Sequence, residues 1–120
     1  MTGAIVLRWG GAKVGRETKA LETFAKALAY YDGLAKEGRI HAHHEYFSLT
    51  GKVGGFAIIE GQVDDLLRIQ TEETSMRLLT EAGVTVEDFT IDTYVGGSES
   101  AVQHQVTLFG ETLQSQGLLA

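Results

Sequence analysis

The chain has 120 residues, 43% of them apolar and 22% charged, the proportions of one ordinary globular domain rather than of two domains, a fibrous repeat or a disordered segment. It contains no cysteine, which excludes a disulfide framework, a thiolate metal centre and a thiol nucleophile. A net charge of −6, with the basic residues scattered rather than clustered, argues against a nucleic-acid partner. Met1 to Arg8 has neither a charged leader nor a long apolar run, so no signal peptide, no membrane association and a cytoplasmic location are expected.

Proline is absent, and 15 glycines do the punctuation. Residues 4 to 9, Ala-Ile-Val-Leu-Arg-Trp, are β-branched and aromatic and end at Gly10-Gly11, which predicts a first strand. Ile5, Leu7 and Trp9 share one face of it, and Ala4, Val6 and Arg8 the other. From Arg16 to Lys36 the period becomes helical, with Leu21, Phe24, Ala25, Leu28, Tyr31 and Ala35 as the apolar stripe and Gly38 as the stop. Arg39–Thr50 and Gly54–Gln62 read as two strands of a hairpin joined through residues 50 to 55. The second of them is apolar on both faces, as a central strand is.

Val63 to Ala82 is helical again, with Thr71-Glu72-Glu73-Thr74 predicting a kink or two short helices, Thr71 serving as the new N-cap and Gly83 as the end. Val84–Val95 is the fourth strand. After Gly96-Gly97, Ser98 caps a last helix carrying Val102, Val106, Phe109 and Leu113 on one side, with His104 exposed. Strand, helix, strand, strand, helix, strand is the ferredoxin-like βαββαβ order of an α+β domain with a four-stranded antiparallel sheet. The expected division is a domain over residues 1–97 and a C-terminal helical extension over 98–120.

Both helices of that fold cover one sheet face, yet the first and third strands carry apolar groups on both. A second copy is the expected cover, giving a homodimer or a higher homo-oligomer; the alternative is the last helix of the same chain. In element order, in helix lengths and in Leu66-Leu67-Arg68-Ile69 ahead of a kink, residues 4 to 95 resemble the dimeric α/β-barrel superfamily. That superfamily includes antibiotic-biosynthesis monooxygenases, muconolactone isomerases and YCII-like proteins. The resemblance implies facing sheets, a small-molecule cavity, and oxygenase- or isomerase-type chemistry without a cofactor. It contains no diagnostic motif, so no catalytic residue is carried over.

The chemically dense stretch is Arg39-Ile40-His41-Ala42-His43-His44-Glu45-Tyr46, which holds three of the 4 histidines. On a strand, His41, His43 and Glu45 point together at steps of about 6–7 Å, with His44 and Tyr46 opposite. Three readings stand side by side. His41, His43 and Glu45 have the ligand types for a transition metal. His43 or His44, beside Glu45 or Asp92, has the chemistry of a general base. Alternatively, the group is a solvated, hydrogen-bonded strand edge.

Arg8, Trp9, Tyr46, Asp92 and Tyr94 are the candidate ligand-binding residues, each equally readable as core or surface. The glycine-rich turn at residues 10 to 15 lacks a phosphate-binding spacing and is expected to be a flexible loop over a pocket. No nucleophile elbow is present. The leading expectation is a protein that binds or transforms a small aromatic or polyketide-like molecule. The alternatives are a non-catalytic assembly protein built through the last helix and, third, a metal-dependent enzyme.

Overall fold

In the computed structural model, which describes residues 1–50 and 54–118, the chain runs β1 (Thr2–Trp9), α1 (Glu17–Lys36), β2 (Ala42–Phe47), β3 (Gly55–Gln62), α2 (Val63–Gln70), α3 (Glu73–Thr85), β4 (Thr90–Val95) and α4 (Glu99–Ser115). The strands form one antiparallel sheet in the order β2-β3-β1-β4, so the two most apolar strands are central, as their composition requires. The register pairs Ile5 with Ile59 and Leu7 with Ala57, and all four side chains turn to the helix side. There they pack with Tyr31 and Leu34 of α1, Ile40, and Leu66 and Ile69 of α2. Each fully buried aliphatic side chain contributes roughly 1.5–3 kcal/mol. Among the described residues, no helix is long and apolar enough to cross a membrane.

The kink expected near Thr71 is a true break, but Glu72 rather than Thr71 is the N-cap of α3. The Thr71 hydroxyl instead donates back to the Arg68 carbonyl at 2.9 Å, while Arg39 grips the Glu72 carboxylate through both oxygens. Helix α3 runs through Gly83 to Thr85, so residues 84–85 are helical rather than extended. The Thr85 hydroxyl bonds the Glu81 carbonyl at 2.8 Å, and Asp88 turns the chain into β4 with φ 52°.

In α1, Leu21 is 73% exposed and Ala25 lies outside, whereas Thr23, Tyr31 and Leu34 are buried. The inward stripe is rotated because α1 leans on α3 as well as on the sheet, and its Thr23 hydroxyl reaches Glu81 at 3.4 Å. The expected second strand is also shorter than Arg39–Thr50: Ile40 belongs to the core and His41 precedes β2. Residues 51–53 of the expected hairpin connection lie outside the described residues.

The Ser98 hydroxyl caps α4, accepting from the Ala101 amide at 3.2 Å. Among the described residues, helix α4 packs on β4 rather than across the open face of the sheet, so the one-chain cover is not what forms. Val102, Val106 and Phe109 are exposed, as is His104. The long axis of 56 Å and the radius of gyration of 17.0 Å reflect this projection, since a compact chain of this length has about 14 Å. The uncovered sheet face presents the stacked rings of Tyr46 and Phe56, 4.9 Å apart, and Tyr94.

Candidate functional site: an apolar cavity with a clamped carboxylate

On the helix side, between the sheet, α1 and α3, lies a cavity of about 570 Å³. That is in the range of small-molecule sites, roughly 300–1,000 Å³. The sheet contributes Leu7, Trp9 and Ala57, α1 contributes Phe24 and Ala27, and α3 contributes Leu79. Trp9, Phe24 and Phe47 meet edge to face with ring centres 5.4–6.2 Å apart, forming a pre-packed aromatic wall.

The turn after β1 borders the cavity at Gly10 and Gly11. It is pinned by backbone bonds from the Gly10 amide to the Glu87 carbonyl at 2.7 Å and from the Glu87 amide to the Gly11 carbonyl at 2.8 Å. Gly54, with φ 128°, approaches the Trp9 carbonyl so closely that only glycine fits there.

Strand alternation places His43 and Glu45 opposite Ile59 and Ala57, on the cavity side. The His43 ring is clamped at both nitrogens, with Nδ1 on Glu45 Oε2 at 2.5 Å and Nε2 on Asp32 Oδ1 at 2.6 Å. Its ring centre is 6.0 Å from that of Tyr31. Burial alone would lower the His43 pKa, but the bonds to Glu45 and Asp32 outweigh it and hold the imidazole above its ordinary value. A carboxylate at each nitrogen favours the protonated, doubly donating form of the ring. Desolvation, reinforced by Tyr30 and Glu45, pushes the Tyr31 phenol far above its ordinary range, so it stays protonated.

Glu45 and Tyr31 line the cavity whereas His43 and Asp32 do not, so of the three clamped groups only the Glu45 carboxylate borders it. Among the described residues that line the cavity the charged ones are Glu17 and Glu45, both acidic.

The expected ligand-binding set is divided by the sheet. Trp9 lies in the cavity, but Arg8, Tyr46, Asp92 and Tyr94 lie on the opposite, open face, where Arg8 pairs with Asp92 at 3.6 Å. His44 shares that face, 3.9 Å from Glu60, so His43 and His44 do not belong to one site. His41, preceding β2, is exposed, and among the described residues no group of three or more His, Cys, Asp or Glu is arranged to hold a metal ion. The pairing of His43 with Glu45 stands, and Asp92 pairs elsewhere. Sequence reasoning missed Asp32, eleven residues away on α1, because it adjoins His43 only once α1 docks on β2.

No family model matches the chain, and no curated protein matches it. Solved structures do. One is SnoaB, a cofactor-independent oxygenase from Streptomyces nogalater, with a TM-score of 0.60 and 12% identity over 81% of this chain and 94% of that one. Another is a dimeric protein of unknown function and ferredoxin-like fold from Bacteroides fragilis, with a TM-score of 0.56 and 11% identity over 78% of this chain and 94% of that one. At these identities the likeness establishes the ferredoxin-like fold, as the element order led one to expect.

Proposed function

We propose that this chain binds a small ring-bearing molecule in the cavity between the sheet and α1/α3. In this reading the paired Glu45 and His43 manage a proton in an isomerase- or oxygenase-type reaction that needs no cofactor. The observation that carries the reading is the union of an apolar, aromatic-walled cavity with a carboxylate held in place by the His43 ring. Glu45 takes the proton from an acidified C–H or O–H of the ligand, and His43 stabilises the carboxylate between turnovers. Returning that proton to a different carbon is an isomerisation; a ligand carbanion that instead reduces dioxygen forms a C–O bond, takes the Glu45 proton as a hydroperoxide, and breaks its O–O bond with loss of water to leave a carbonyl. The cofactor-independent oxygenase of similar fold supports this chemistry as a possibility of the architecture, while the site argument rests on this chain's residues.

The chain's single tryptophan lines the cavity and serves as the reporter. Titration with the neutral dye N-phenyl-1-naphthylamine should raise dye emission and transfer energy from Trp9. The variant Ala27→Phe, which fills the space from α1, should abolish both signals. Unchanged dye binding in Ala27→Phe would remove the cavity from consideration.

The open sheet face is the site of two-fold self-association in this proposal. Tyr46, Phe56 and Tyr94 are 49%, 40% and 47% exposed there, an apolar cluster that a facing copy would bury. The dimeric ferredoxin-like protein of similar fold supports it. Sedimentation equilibrium of the chain and of Phe56→Lys tests it, since a monomeric parent protein sinks the idea. Truncation after residue 97 then separates this association from assembly through α4: loss of the dimer on truncation would favour α4.

A further inference from the structure

The cavity's lining is apolar and aromatic, yet every formal charge among its described residues is negative: Glu45, deep beside Tyr31, and Glu17, in the first turn of α1. Glu45 is held in place by His43 at 2.5 Å, and His43 by Asp32 at 2.6 Å. The side chains of His43 and Glu45 are 13% and 16% exposed, whereas Asp32 is 64% exposed. The chain of contacts therefore runs from solvent, through an imidazole ring with no free nitrogen, to a carboxylate fixed at the cavity wall. Because both ring nitrogens are spent, His43 has no lone pair to offer a ligand. What Glu45 presents is a hydrogen-bond acceptor whose negative charge no lining cation balances.

The geometry points to Glu45 as the specificity-determining residue of the cavity: it accepts aromatic ligands that bring an O–H or N–H donor and excludes those that bring a carboxylate. Asp32 and His43 are positioning residues that act through it. This rests on the cavity-binding reading above and adds a charge and donor requirement that apolar fit alone does not contain. An anionic ligand would meet the Glu45 carboxylate with no cation among the described lining residues to bridge the two. A neutral ligand without a donor fits but leaves the acceptor unsatisfied.

Equilibrium dialysis against three bicyclic probes tests it: 2-naphthol, 2-methoxynaphthalene and 2-naphthoate share one ring system and differ in donor and charge. The expected order for the unmodified protein is naphthol tightest, methoxynaphthalene about tenfold weaker, and naphthoate weaker still. Glu45→Gln, which keeps an oxygen for His43 but removes the charge, should narrow the naphthol-to-naphthoate ratio about tenfold and leave methoxynaphthalene binding in place. Leu28→Lys, a lining position on α1, gives a gain that misfolding cannot imitate, because it should reverse the preference towards naphthoate.

Equal retention of naphthol and naphthoate by the unmodified protein overturns the inference while the cavity reading survives. So does an unchanged ratio in both variants. Failure of all three probes to bind, or equal binding of all three by Ala27→Phe, overturns the cavity reading and this inference with it.

Discussion

Replacing His43 with alanine removes two charge-assisted hydrogen bonds of unequal weight. The bond to Glu45 joins side chains 13% and 16% exposed, and its loss strands a carboxylate on an apolar wall, a cost of about 1.5–3 kcal/mol. The bond to Asp32 ends on a side chain 64% exposed that rehydrates freely, so it adds about 0–1 kcal/mol. The expected loss of stability is thus roughly 1.5–4 kcal/mol near pH 6, on the acid side of the ordinary histidine value. The sign of its pH dependence follows from the direction of the shift. The folded pKa of His43 lies above the ordinary value of 6.5. Its contribution is therefore fully present below that ordinary value and is lost as pH rises through the folded one. Urea denaturation followed by Trp9 emission, run on both proteins at about pH 6 and about pH 9, reads the difference. A gap that stays constant between the two conditions, or is under about 1 kcal/mol at the lower one, refutes the double clamp.

Asp32→Asn should cost less than His43→Ala by calorimetry, because its carboxylate is the solvated end of the chain. Ile59→Ala empties a fully buried central position and should cost about 2–5 kcal/mol, seen as a lower urea midpoint without a change of slope. Ser98→Ala deletes the one side-chain cap of α4 among the described residues and should weaken that helix by about 1 kcal/mol. Amide exchange in residues 99–115 should quicken while exchange in β1 and β3 is unchanged. In Gly3→Val, the new Cβ runs into the Tyr94 carbonyl and Val63 and should separate β4 from β1, measurable as a fall in melting temperature.

Element order was legible because hydrophobic period is a local property. Ile5, Leu7 and Trp9 share a face in the sequence as they do in the fold, and the break after Gln70 is announced by its own polar residues. Errors cluster where a neighbour outvoted local preference. Leu21 looks like core yet is exposed because α3 draws α1 round to Thr23 and Leu34. Val84 and Thr85 look like strand yet finish α3, held by the Thr85 hydroxyl. The glycine turn after Trp9, expected to be loose, is tied to Glu87 by backbone bonds.

The candidate site divides along the same line. That His43 and Glu45 point the same way follows from the two-residue repeat of an unbulged strand, and the regular pairing of β2 with β3 supplies the missing condition. Which side of the sheet they occupy is a different matter, because a strand bears two faces and nothing within it says which one the helices will cover. Only docking of α1 brings Asp32 to His43. Only pairing of β2 with β3 puts Tyr46 beside Phe56, and only the helices' choice of one sheet face leaves Arg8, His44, Asp92 and Tyr94 on the face away from the cavity. Local order was written in the periodicity of the chain. The partners of its charges were decided by contacts between residues distant in sequence, and periodicity carries no record of those.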